Sequence, residues 1–237
     1  MKTWYALCAL AIACAFSVGT AAGTNTLTNA NQALRAGDTG RAIALYSDAL
    51  HGDGISGADR ARALLNRGLA QERAGRHVEA VLDYTSAIQL RQFQQDDLAR
   101  AFLDRGIALD ELGKPDDALA DYSAAIVIVP AFPAALNNRG NLYRRRGELR
   151  NARHDYELSL ISGNATPEYP LYGLGQIAEV EGDRRAALGF YGEAHAANPS
   201  FALAAQRLLA LQSEAQLRGA PAKKSTIKPA PPMRGPH

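Results

Sequence analysis

The chain has 237 residues, 47% of them hydrophobic, and a formal net charge of +2 at pH 7. That length suits one or two domains or a single solenoid, and the near-neutral balance excludes an overall charge that would draw the chain to nucleic acid. Charge is uneven along the chain. Lys2 and the four basic residues Lys223, Lys224, Lys228 and Arg234 are five of the 26 Lys and Arg, so the remaining 21 stand against 24 acidic residues in the body.

Taken in order, residues 1–22 read as an export signal. Lys2 gives a positive start, Trp4 to Val18 is an uncharged and mostly apolar run of 15, and Gly19-Thr20-Ala21-Ala22 offers small residues for cleavage. A run of 15 is shorter than the 18 or more residues of a membrane-spanning helix. The pattern predicts an exported protein cut after Ala21 or Ala22, with the bacterial periplasm as the expected compartment. Cys8 and Cys14 both lie inside this segment. Ala11-Ile12-Ala13 before Cys14 is a poor lipoprotein signature. Removal of the segment leaves no cysteine for disulfides, thiol catalysis or metal binding.

Residues 24–199 repeat. Five glycines are each followed nine residues on by a tyrosine: Gly37 to Tyr46, Gly75 to Tyr84, Gly113 to Tyr122, Gly147 to Tyr156 and Gly182 to Tyr191. A small residue follows each of these glycines by five (Ala42, Ala80, Ala118, Ala152, Ala187), and another follows each tyrosine by three (Ala49, Ala87, Ala125, Ser159, Ala194). The blocks are spaced by 38, 38, 34 and 35 residues. A fixed period of this size marks a repeat architecture.

The unit beginning near Ala99 shows the physics. Phe102, Ile107, Ala108, Leu109 and Leu112 recur at helical spacing, Gly113-Lys114-Pro115 stops that helix, and Ala118, Leu119, Tyr122, Ala125 and Ile126 share one face of a second helix ended by Pro130. Each unit is thus predicted to be two antiparallel helices with a tight turn. Gly68, Gly106, Gly140 and Gly175 recur inside the first helices, where glycine costs about 1 kcal/mol against alanine. Their recurrence predicts a close helix crossing there, with the tyrosines filling space between units.

With Gly106, Gly113, Ala118, Tyr122, Ala125 and Pro130 in place, and Gly175, Gly182, Ala187, Tyr191, Ala194 and Pro199 after them, the chain resembles the tetratricopeptide repeat proteins. The units holding Tyr84 and Tyr156 have Gln92 and Asn164 at the proline position. The first unit departs most, with Ala30 at the early small position and Gly54 for the proline. Extra residues at His51–Gly54 and Arg91–Gln95 are expected in loops. The resemblance implies an all-α, right-handed solenoid of about five helix-turn-helix units. Phe201 to Leu217 would close it as a capping helix, with Leu203, Leu208, Leu209 and Leu211 on its apolar side.

It also implies a groove lined by the first helices. The lining positions are Arg62, Leu65, Asn66, Leu69 and Glu72; then Arg100, Leu103, Asp104, Ile107 and Asp110; then Asn137, Asn138, Asn141 and Arg144; then Tyr172, Gln176 and Glu179. Burial on Leu65, Leu69, Leu103 and Ile107 is the expected source of affinity for a peptide or helix of a partner protein. The asparagines offer donor and acceptor together and suit the backbone of an extended segment. One branch of the family clamps a terminal carboxylate with residues from three adjacent units. Asn31, Asn66 and Arg100 match that clamp, but Leu27 stands where its first lysine belongs and Asp104 where its last arginine belongs, which argues against it.

No catalytic constellation appears. His51, His77, His154, His195 and His237 have no metal-ligand spacing and are expected satisfied or exposed, and no HExxH, GxSxG, P-loop or GxGxxG occurs. Asp116-Asp117 opens a helix, where acids favour the dipole. Asn164-Ala165-Thr166 is a glycosylation sequon weakened by Pro167. No enzyme activity, cofactor or metal is expected. The tail, residues 219–237, is Pro- and Lys-rich and is expected to be disordered. The function expected is an exported, non-enzymatic scaffold for a protein or peptide partner, without nucleic acid. The alternative is an envelope-structural protein whose basic tail contacts anionic wall or lipid.

Overall fold

Helix boundaries in this chain follow local chemistry. The structure, a computed structural model, describes residue 23, residues 25–52 and residues 54–219. The signal-like segment with Cys8 and Cys14, and the basic tail beyond Gly219, lie outside the described residues. Among the described residues there are eleven helices and no strand. They are α1 (25–35), α2 (Thr39–His51), α3 (Gly57–Arg73), α4 (His77–Gln89), α5 (Gln95–Glu111) and α6 (Pro115–Ile128). Then come α7 (Pro133–Arg145), α8 (Leu149–Ile161), α9 (Glu168–Val180), α10 (Arg184–Ala197) and α11 (Ala202–Gly219).

The turn inside each unit is set by its glycine. Gly113 follows α5 with φ of 70°, a left-handed conformation that a Cβ would strain. Its N–H donates to the Asp110 carbonyl and Lys114 N–H donates to the Leu109 carbonyl, both at 2.9 Å, which satisfies the last carbonyls of α5. Pro115 then occupies the first turn of α6, where its missing N–H costs nothing. The same positive φ recurs at Gly37, Gly75, Gly147 and Gly182.

Helices pack in sequence as an α-solenoid of five hairpins. Within a hairpin α3 meets α4, α5 meets α6, α7 meets α8 and α9 meets α10; between hairpins α4 meets α5, α6 meets α7 and α8 meets α9. First helices also touch one another across units, α3 to α5, α5 to α7 and α7 to α9. The first helices therefore form one continuous wall.

The expected close crossing is present. A Cβ added to Gly68 would lie 2.6 Å from Tyr84 Cε1, and one on Gly106 would lie 2.7 Å from Tyr122 Cε1. Gly140 and Gly175 stand in the same relation to Tyr156 and Tyr191. Tyr156 reaches across units as well, because a Cβ on Gly173 would run into its Cζ. All five tyrosines are essentially fully buried.

A second, polar spine runs beside the tyrosines. Arg67 donates from Nε and Nη2 to both carboxylate oxygens of Asp83 at 2.6 and 2.7 Å, and from Nη1 to Ser47 Oγ of the preceding unit at 3.0 Å. Arg105 repeats this with Asp121 and Thr85, and Arg139 with Asp155 and Ser123. In the fifth unit Leu174 and Phe190 occupy the two positions and pack in one apolar cluster. An apolar pair of similar bulk replaces a buried ion pair without loss of packing.

α11 closes the stack through Leu208 and Leu211 against α10. The predicted apolar side is only half used, for Leu203 and Leu209 are 52% and 65% exposed. The histidine expectation also needs correction. His51 Nδ1 lies 2.6 Å from the Ser47 carbonyl and His154 is exposed, but His77 and His195 each bury Nδ1 without a hydrogen-bond partner.

Candidate functional site

The wall of first helices carries two open cavities. One, about 290 Å³, lies between α1 and α3 and is lined by Leu27, Thr28, Asn31, Tyr46, Asp59, Arg62, Ala63 and Asn66. Asn31 Oδ1 accepts from Tyr46 OH at 2.5 Å and from Asn66 Nδ2 at 3.1 Å. Burial pushes the Tyr46 hydroxyl up to about 12, so it acts as a donor there. Arg62 reaches Asp59 at 3.7 Å and is mostly exposed.

The second cavity, about 420 Å³, lies between α7 and α9. Its lining is Ala134, Asn137, Asn138, Asn141, Asn164, Thr166 and Tyr169. Every one of these side chains is uncharged. Asn137 keeps a buried Oδ1 with no hydrogen-bond partner. Asn141 is held from behind: Tyr156 OH donates to its Oδ1 at 2.8 Å, and Arg144 Nε donates to the Tyr156 oxygen at 3.3 Å. Asn164 is held at both ends of its amide, its Nδ2 donating to Ser159 Oγ at 2.9 Å and its Oδ1 accepting from the N–H and hydroxyl of Thr166 at 2.9 and 3.1 Å. This closed turn occupies the amide of the sequon.

Between the cavities the wall is acidic. Asp104 on α5 has its Oδ2 buried without a hydrogen bond, 3.6 Å from Arg100 Nε. Burial is the main force that pushes its carboxyl up to about 6; Arg100 opposes this and Glu72 of α3 adds to it. Glu72 is itself raised by burial and accepts from Tyr84 OH at 2.8 Å. Asp110 takes both oxygens to Arg145 of the next unit at 2.6 Å.

The expected apolar anchors are not available to a partner as a set. Leu65 is only 7% exposed and packs with Ala80, Tyr84, Ala101 and Ala108, and Leu103 is only 6% exposed in the cluster around Tyr122. The stacking of one unit on the next has already consumed their apolar area. Leu69 and Ile107 are half-buried against the same stack. Tyr172 is half-buried among Tyr191 and Phe201, with ring centroids 5.3 and 5.5 Å away, and Gln176 is half-buried on α9. Glu179 accepts from Tyr191 OH and pairs with Arg207 of α11; although burial opposes it, those partners hold its carboxyl below the usual range.

Four residues lining the second cavity escaped the sequence reading, Ala134 of α7 among them. Tyr169 is 48% exposed, stacked edge-on against Phe201 at 5.2 Å, and stands at the second repeat position of the fifth unit, where groove-facing residues are expected. Asn164 and Thr166 come from the loop before α9, where no periodicity marks them. Among the described residues no group of three His, Cys, Asp or Glu is placed to hold a metal ion, and no helix is long and apolar enough to cross a membrane.

Comparison with known proteins places this geometry. A sequence model of the tetratricopeptide repeat matches residues 27–97 and 103–170, more than half of the chain. No curated protein matches the sequence. Among solved structures the chain is similar to a tetratricopeptide repeat protein from Parabacteroides merdae, with 20% identity and a TM-score of 0.67 over 82% of this chain and 73% of that one. It is similar to MamA at 21% identity and a TM-score of 0.61, over 73% of this chain and 96% of that one. It is also similar to YrrB, described as a TPR protein with an unusual peptide-binding site, at 20% identity and a TM-score of 0.59 over 76% of this chain and 89% of that one.

Proposed function

Since the chain belongs to the tetratricopeptide repeat family, a family of protein-interaction scaffolds, we propose that it is a non-enzymatic scaffold that holds an extended segment of a partner protein along the wall of first helices. The cavity between α7 and α9 is the principal contact. One observation carries this reading: Asn137 keeps a buried acceptor with no partner in the wall of a 420 Å³ cavity. Leaving such an atom unpaired costs about 1–3 kcal/mol, and a small turn of the amide toward a donor in the cavity relieves it. Asn138 and Asn141 extend the row along one helix face. Affinity then comes from amide pairing and from Tyr169, with little from the leucines.

Export to the periplasm belongs to the same proposal and is supported by the N-terminal pattern of charge, apolar run and small residues. Replacing Asn138 and Asn141 with arginine tests the groove. Loss of the partner with an unchanged helical circular dichroism spectrum supports the reading; unchanged capture overturns it.

A further inference from the structure

The same cavity has a chemistry that narrows what enters it, and this step rests on the groove reading above. We infer that the cavity between α7 and α9 reads a carboxamide side chain, a glutamine or asparagine of the partner segment. Charge is the first filter. All seven lining residues are neutral, so a lysine, arginine or carboxylate seated there would lose water without gaining a counterion. Apolar side chains fail for the opposite reason. They would strip water from four amides, a threonine and a tyrosine and return no hydrogen bond.

The orientation of the amides sets the second filter. Arginine has donors only, so the Tyr156 oxygen must accept from Arg144 and its proton must go to Asn141 Oδ1. That occupies one lone pair of the Asn141 oxygen, while its Nδ2 remains the donor the side chain offers elsewhere. Asn137, one turn earlier on the same face, has a buried Oδ1 without a protein partner, which becomes the acceptor for an occupant once its amide turns into the cavity. The helix thus offers one donor and one acceptor a turn apart. Asn164 is tied up by Ser159 and Thr166 and serves as a fixed wall. A carboxamide supplies an N–H for Asn137 and a C=O for Asn141 from one planar group. A carboxylate lacks the donor and an ammonium lacks the acceptor.

Four probes separate the possibilities: the N-acetyl methylamides of glutamine, glutamate, leucine and glycine, titrated into the ¹⁵N-labelled full chain while backbone and asparagine side-chain amides are followed by NMR. The glutamine compound is expected to bind at least about tenfold more tightly than the other three, since a site built on paired hydrogen bonds rejects analogues that lack them. Asn141→Asp, which keeps an acceptor for Tyr156 OH and removes the Nδ2 donor, is expected to abolish that preference. Equal binding of the glycine and glutamine compounds overturns the carboxamide inference and leaves a groove that pairs with backbone. Absence of shifts at α7 and α9 with all four overturns both.

Discussion

Arg139 grips Asp155 with two parallel hydrogen bonds of 2.8 Å, and its remaining nitrogen reaches Ser123 of the previous unit at 3.2 Å. Asp155 is 2% exposed at its side chain, and Arg139 is its counterion. Asp155→Leu leaves a buried guanidinium uncompensated and is expected to cost about 3–5 kcal/mol, whereas the double variant Arg139→Met with Asp155→Leu should cost clearly less than the sum of those two single changes. Chemical denaturation of the four species of the cycle measures this. Additive losses would mean that the pair is not coupled.

Gly106 and Gly189 make an opposed pair of tests. A Cβ at Gly106 runs into the Tyr122 ring, while at Gly189 nothing lies within 4 Å. Gly106→Ala is expected to destabilise by about 1–3 kcal/mol through overpacking. Gly189→Ala, in the interior of α10, should stabilise by about 0.5–1 kcal/mol through helix propensity. Thermal melts that shift in the same direction for both would contradict the crossing described here.

Asp104 makes stability depend on pH. Its folded pKa of about 6 lies above the ordinary 3.8, so the folded state binds more protons between those values. Stability is therefore full below about pH 4 and falls as pH rises through 6. The groups facing it are Arg100 on its own helix, Glu72 on α3 and Tyr84 on α4. Asp104→Asn is expected to gain about 1–3 kcal/mol at pH 7 and to flatten the profile between pH 4 and 6. Denaturation midpoints at pH 4, 5, 6 and 7 decide this, and equal stability of both proteins at pH 7 would refute it.

The fold was legible because its determinants are local and periodic. Gly113 stops a helix within its own turn, and the Gly106–Tyr122 contact repeats often enough to be seen as a pattern. The Arg–Asp spine was equally regular, since Arg-Gly and Asp-Tyr stand 16 residues apart in three units, at 67 and 83, 105 and 121, 139 and 155. It went unread because nothing in a charged residue's identity says that it is buried. The groove was harder for a different reason. The fifth repeat position holds Leu65, Leu103 and Asn137, and whether it faces a neighbour or the cavity depends on side chains of other helices, fifteen or more residues away. Asn164 and Thr166 belong to a loop and follow no period at all.

The central claim, that the wall between α7 and α9 holds another protein, is tested most directly by a photo-crosslinking amino acid placed at Asn138 in the native cell, against the same group at Glu157 on the exposed side of α8. The account predicts a discrete protein adduct from position 138 that is absent from position 157 and lost on adding Asn141→Arg. Adducts of equal yield from both positions, or none from position 138, would contradict it.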